Sequence, residues 1–150
     1  MKLSDFDFRV WDGKKYINNI KGGFYIHKIN DYIKCLKRNQ DCYDYEFELD
    51  DLDNSNLEIE LFTGLYDKNG TKIYENDILE YETLEELYHI TRDNTYKMFK
   101  IEIFSKNFNN KIYKRKAEPD ISFLKVFKSE KNMKVIGNIH ENADLLVVKE

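Results

Sequence analysis

Near the start of the chain, apolar residues recur at every second position: Phe6, Phe8 and Val10 alternate with Asp7 and Arg9. That period turns one face of an extended strand towards a core and the other towards water. Trp11 closes the run. Asp12-Gly13-Lys14-Lys15 follows, with the Asp-Gly pair that favours a hairpin, so Tyr16 and Ile17 read as the return strand. Gly22-Gly23 predicts a second turn before Phe24, Tyr25 and Ile26. The spacing then changes. Ile29, Tyr32, Ile33 and Leu36 stand at i, i+3, i+4 and i+7, which predicts a short amphipathic helix from Asn30 to Asn39. Asn30 suits its N-cap, and Lys34, Lys37 and Arg38 gather at the negative end of its dipole. From Tyr43 the period returns to two: Tyr43, Tyr45, Phe47 and Leu49 form one strand and Leu57, Ile59 and Leu61 the next.

In the second half, Asn69-Gly70 predicts a type I′ hairpin turn. Ile73-Tyr74 and Ile78-Leu79 flank a polar turn at Glu75-Asn76-Asp77. Thr83-Leu84-Glu85-Glu86 fits a capping box and predicts a second helix presenting Leu84, Leu87 and Tyr88. Arg92-Asp93-Asn94 turns the chain into a strand marked by Phe99, Ile101 and Ile103. Pro119 sits in a charged loop, and the apolar run Phe123, Leu124, Val126 and Phe127 leads into another turn. Val135-Ile136 is the last strand, and Ala143 to Leu146 a short closing helix. Period-two runs outnumber helical ones, and two alanines stand against many β-branched and aromatic residues. The expected fold is mainly β and antiparallel, one domain over residues 1–150 with one or two short helices.

Twenty-two aromatic residues in 150 argue against disorder, because such side chains offset the entropy of ordering. The net charge of −4 gives no support to a nucleic-acid coat. No run approaches the ~20 apolar residues of a membrane span, and no basic-then-apolar leader opens the chain. The expectation is a soluble, unexported protein. Cys35 and Cys42 have no second pair to complete a zinc site and read as reduced structural thiols. His27, His89 and His140 lie far apart, so no metal is expected. No glycine-rich phosphate loop and no G-x-S-x-G elbow occurs, and the expectation is a protein without cofactor or catalytic activity.

Charge is unevenly placed. Nine acidic and no basic residues lie between Asp41 and Glu60, whereas eight basic and three acidic residues lie between Lys106 and Lys131. The acidic run reads as a solvated strand face. The basic run interleaves charge with aromatics, and Lys111, Tyr113, Lys114, Arg115, Lys116, Lys125 and Lys128 make a candidate binding surface. Single-strand nucleic-acid binders use such surfaces, and so do basic loops with a packed tyrosine and no ligand. Segregated charge favours self-association or a protein partner over a polynucleotide that the overall charge repels.

Three stretches resemble the YopX family of bacteriophages and prophages. Phe8-Arg9-Val10-Trp11-Asp12 is similar to that family's opening motif, with Arg9, Trp11 and Asp12 at its centre. Residues 61–79 are similar to the central motif and supply Thr63, Gly64, Asp67, Asn69, Gly70, Tyr74, Glu75 and Asp77. Residues 135–146 are similar to the closing motif, with Gly137, Asn138, Glu141 and Asn142. Asn76 stands where the family usually has glycine, and Ala143 where it has proline. Physically these are turn motifs: Gly137 permits close backbone approach, and Asn142 suits the cap of the last helix. The resemblance implies a mainly-β, partly barrel-like fold and action in the cytoplasm of a bacterial host, with no established catalytic residues. The resulting expectation is a non-enzymatic accessory protein that binds a host target in counter-defence, either a host immune protein or a nucleotide signal. The alternative is a nucleic-acid-binding accessory or regulatory protein of the phage.

Overall fold

The structure is a computed structural model that describes residues 1–17, 24–38, 49–51, 56–96 and 98–147. Strands dominate: β1 (Phe8–Trp11), β2 (Phe24–Ile29), β3 (Tyr32–Arg38), β4 (Leu49–Asp51), β5 (Glu58–Tyr66), β6 (Lys72–Tyr74), β7 (Asp77–Tyr81), β8 (Glu86–Arg92), β9 (Phe99–Lys106), β10 (Ile112–Lys114) and β11 (Lys134–Asn138). Two short helices, α1 (Ser122–Val126) and α2 (Ser129–Asn132), and short 3-10 turns accompany them among the described residues. The strands form sheets of order β10–β9–β8–β7–β11, β2–β3–β4 and β1–β5–β6. The fold is thus mainly β, and its pairings are antiparallel. Each sheet keeps two edges, so among the described residues none closes, and the barrel-like expectation is corrected. Contacts group into two compact units, Arg9–Glu60 and Met1–Phe8 with Leu61–Glu150.

Within Arg9–Glu60, Trp11 bridges Tyr16 across the Asp12-Gly13 hairpin, as its sequence predicts. Asp12 Oδ1 accepts from the N–H groups of Lys14 and Lys15, both at 2.8 Å. The helix expected from Asn30 to Asn39 is instead the strand β3, paired with β2 from Ile29↔Tyr32 to Phe24↔Lys37. Asn30 explains the difference: its φ of 51° is left-handed, and with Asp31 it makes a two-residue hairpin link rather than a helix cap. Cys35 and Leu36, adjacent and both buried, pack on opposite faces of the strand. Cys35 is a free thiol, and burial raises its pKa. The expected turn at Gly22-Gly23 and the strand expected over Tyr43, Tyr45 and Phe47 lie outside the described residues.

The larger unit is built on the five-stranded sheet, which buries apolar residues on both of its sides. Leu79, Tyr88, Ile90, Ile101 and Ile103 form one buried face with Ile73, Leu124 and Met133. Ile78, Leu87 and Phe104 form the other with Leu146, and Ile112, Ile136, Ile139 and Leu145 pack against it. This two-sided burial overturns the second expected helix. Leu87 and Tyr88 serve opposite faces of β8, and Thr83 falls in a single 3-10 turn, Glu82–Leu84, that ends at left-handed Glu85 (φ 54°). α1 covers the first face through fully buried Leu124, while the closing 3-10 helix Ala143–Leu146, expected as a short helix, covers the second.

The Asn69-Gly70 turn forms, but not as type I′. Only Gly70 has a positive φ (77°), and Asp67 pairs its backbone with Thr71 while the Gly70 N–H donates to the Asp67 carbonyl. This is a three-residue loop with a left-handed residue before the return strand. Asn107 to Lys111 repeats it bond for bond, with Asn110 (φ 56°) in the place of Gly70.

Candidate functional site

The seven residues of the candidate basic surface divide between two places in the larger unit. Lys111 to Lys116 follow the edge strand β10, which pairs with β9 from Ile112↔Lys106 to Lys114↔Phe104. Lys125 and Lys128 sit on and after α1, where Leu124 anchors the helix and Ser129 Oγ donates to the Tyr66 carbonyl at 3.0 Å. Lys128 has φ 52°, which turns the chain sharply between α1 and α2.

Carboxylates engage part of this charge. Lys114 Nζ lies 3.4 Å from Glu102 and 3.3 Å from Glu118. Burial opposes its charge, but Glu118 and Glu102 outweigh that and hold its pKa above the ordinary lysine value. Arg115 reaches Glu86 at 2.9 Å, and the same carboxylate accepts the Tyr88 hydroxyl at 2.5 Å. Lys111, Lys116, Lys125 and Lys128 make no ion pair among the described residues. Tyr113, 48 % exposed, is not packed beneath the loop.

Asp67, Thr63 and Asp77 of the motifs bond to backbone, while Glu75 and Arg9 pair with side chains. Asp67, almost fully buried, accepts the N–H groups of Asn69 and Thr71 on Oδ1 and that of Val135 on Oδ2. Thr63 Oγ1 donates to the Ile73 carbonyl (2.7 Å), and Gly64 at φ 86° breaks the β5–β6 register. Glu75 takes the Arg92 guanidinium through both oxygens. Asp77 accepts the Tyr74 N–H at 2.8 Å. Asn76 adopts φ 69°, so the turn survives where glycine is usual. In the other unit, Arg9 donates to buried Glu60 at 2.5 Å and stacks over Tyr16, whose ring also meets Trp11.

At the closing motif, Asn138 Oδ1 accepts the N–H groups of His140 and Glu141. Asn142 makes no side-chain cap on the 3-10 helix; its Oδ1 turns back to the Asn138 N–H at 3.1 Å. Gly137 has the role its size suggests, because a Cβ there would stand 2.3 Å from that oxygen.

Among the described residues, three clefts of the larger unit stand out. One of about 460 Å3 is lined by Asp5, Asp7, Phe62, Gly64, Tyr66 and Lys72. Asp7 is held there by Lys72 and the Tyr74 hydroxyl, both at 2.6 Å. Burial raises its pKa, but these bonds and the Phe8 N–H bring it below the usual value. The other two adjoin. A cleft of about 270 Å3 runs between the sheet and the closing 3-10 helix, with Leu87, Ile112, Ile136 and Leu145 along it. Its neighbour of about 280 Å3 is walled by Glu80, Glu82, Glu85 and Glu86, and Glu80, Lys106 and Asn110 belong to both. The smaller unit has an apolar cleft of about 150 Å3 at Val10, Ile26, Ile33, Cys35, Leu57 and Ile59.

A family model described as YopX protein matches residues 7–147. The chain belongs to the YopX family. No curated protein matches it. It is similar to the crystal structure of protein EF1440 from Enterococcus faecalis, at 22% identity over 95% of this chain and 98% of that one, with a TM-score of 0.46.

The acidic and apolar groove of this YopX-family chain escaped the sequence reading. Its residues come from β7, β8, β9, β10, β11 and the closing 3-10 helix, and no local period joins them. The density of glutamate from Glu80 to Glu86 was the one available signal, and it was absorbed by the expectation of a helix. Among the described residues no helix is long and apolar enough to cross a membrane.

Proposed function

We propose that this YopX-family protein is a non-enzymatic accessory protein of a phage or prophage that binds a host protein, with counter-defence as its role. The observation that carries the reading is the state of the β10 edge. Lys114 and Arg115 are held by carboxylates, which leaves exposed Tyr113 between Lys111 and Lys116 on a strand that ends its sheet. A half-neutralised edge is a poor track for a phosphate backbone, whose binding relies on many unpaired cations. An exposed tyrosine with flanking charge on a sheet edge suits strand addition or side-chain docking by a protein. The family resemblance supports the phage setting and the bacterial cytoplasm as the place of action.

The test is affinity capture from an infected host with wild-type protein and with a Lys111→Glu, Tyr113→Ser, Lys116→Glu variant. The expected result is a host protein held in stoichiometric amount by the wild type and lost by the variant. Salt-dependent capture of polynucleotide instead would establish the nucleic-acid reading. A nucleotide extracted from the purified protein would make signal sequestration the activity.

A further inference from the structure

The groove and the α1–α2 corner have complementary chemistry. The groove combines an apolar floor (Leu87, Ile112, Ile136 and Leu145) with a wall of four glutamates, against which Lys106 is the one cation lining it among the described residues. Glu86 in that wall is taken by Arg115, but Glu80, Glu82 and Glu85 make no ion pair among the described residues. The corner presents Val126, 71 % exposed, and Phe127, 38 % exposed, between Lys125 and Lys128.

The corner is also rigid. The Phe127 N–H donates to the Phe123 carbonyl, the two rings lie 4.5 Å apart, and Asn132 Nδ2 donates to the Phe127 carbonyl. Leu124 and Ser129, on either side of it, are buried. A pre-shaped apolar projection between two cations loses little entropy on docking.

We infer that the groove receives the Val126–Phe127 corner of a second copy of this chain, with Lys125 and Lys128 facing Glu80, Glu82 and Glu85. Groove and corner are different surfaces, so a single contact is heterologous and leaves one copy's groove and the other's corner unfilled. Association then continues past the dimer, or closes into a ring. The surfaces are small, so the contact is weak, and its rim charges make it weaken as salt rises.

Charge exchange tests this. In one variant Glu80, Glu82 and Glu85 become Lys; in the other Lys125 and Lys128 become Glu. All but half-buried Glu80 are exposed, and circular dichroism checks that both variants fold. Sedimentation is followed against concentration in low and high salt. The wild type is expected to gain mass beyond the dimer in low salt and each variant alone to stay monomeric. An equimolar mixture of the two variants should regain the wild-type mass, because each basic surface then meets an acidic one. Val126→Ser, which leaves every charge in place, should weaken association several-fold without changing its salt dependence. A wild type that remains monomeric throughout, variants that associate as the wild type does, or a mixture that stays monomeric would each overturn the inference. None of the exchanged residues is Lys111, Tyr113 or Lys116, so host-protein capture is judged separately.

Discussion

Asp67 accepts the backbone N–H of Val135 at 2.9 Å, joining the β5–β6 turn to β11 across 68 positions of sequence. Its second oxygen closes the turn on Asn69 and Thr71. One carboxylate therefore satisfies three donors at a site only 3 % exposed. Removing it leaves those donors unpaired in the interior. Asp67→Ala is expected to destabilise the protein by about 2–3 kcal/mol, seen as a lower urea midpoint with an unchanged slope. Asp67→Asn should recover little, because an amide replaces one acceptor with a donor that faces N–H groups.

The repeated loop makes a second prediction. Gly70 at φ 77° has nothing near the position of a Cβ, so a substitution there costs backbone conformation and no clash. Gly70→Val should destabilise by roughly 1 kcal/mol or more. Gly70→Asn should cost a small fraction of that, since Asn110 already occupies the matching position at φ 56°. Thermal midpoints of the two variants check the contrast. Equal losses would mean that the two loops are not equivalent.

In the smaller unit, Glu60 is 1 % exposed and takes Arg9 at 2.5 Å and the Tyr16 hydroxyl at 3.0 Å. A charge this deep depends on its partners. Arg9→Leu is expected to cost about 3 kcal/mol by taking the guanidinium away from a buried carboxylate, while Arg9→Leu combined with Glu60→Leu should recover a large part of that loss. A double-mutant cycle on urea unfolding measures the coupling.

Asp93 gives a pH prediction. N–H groups of Tyr96 and Thr95 and the Lys100 ammonium bring its pKa from an ordinary 3.8 to about 2, with the Tyr96 bond the largest cause. The folded value lies below the unfolded one, so the contribution is complete above about pH 4 and disappears as pH falls through about 2. A carboxyl NMR titration should show the low value, and Asp93→Asn should remove the acid sensitivity of amide exchange in the 93–96 loop. A titration midpoint near 4 would contradict the bonds to that carboxylate.

The sequence by itself determined the β class, the family, and many turns. Those features are local: Asp12-Gly13 and Asn76 favour their backbone angles through their own side chains or lack of one, and alternation such as Phe99, Ile101 and Ile103 is readable within a single strand. Tertiary structure decided the segments where local patterns were ambiguous. Ile29, Tyr32, Ile33 and Leu36 fit a helix on paper, yet β2 offers a partner strand, and pairing satisfies the backbone while burying Cys35 and Leu36 on opposite sides. Leu87 and Tyr88 likewise belong to a sheet buried on both faces, where adjacent apolar residues carry no helical meaning. The candidate surface followed the same division. Its cations were visible as a run, but whether Lys114 and Arg115 stay exposed as charge depended on Glu102, Glu118 and Glu86, and two of these come from other strands. The groove beside the closing 3-10 helix was legible only as a density of glutamate, because its floor and its acidic wall meet only when five strands lie side by side.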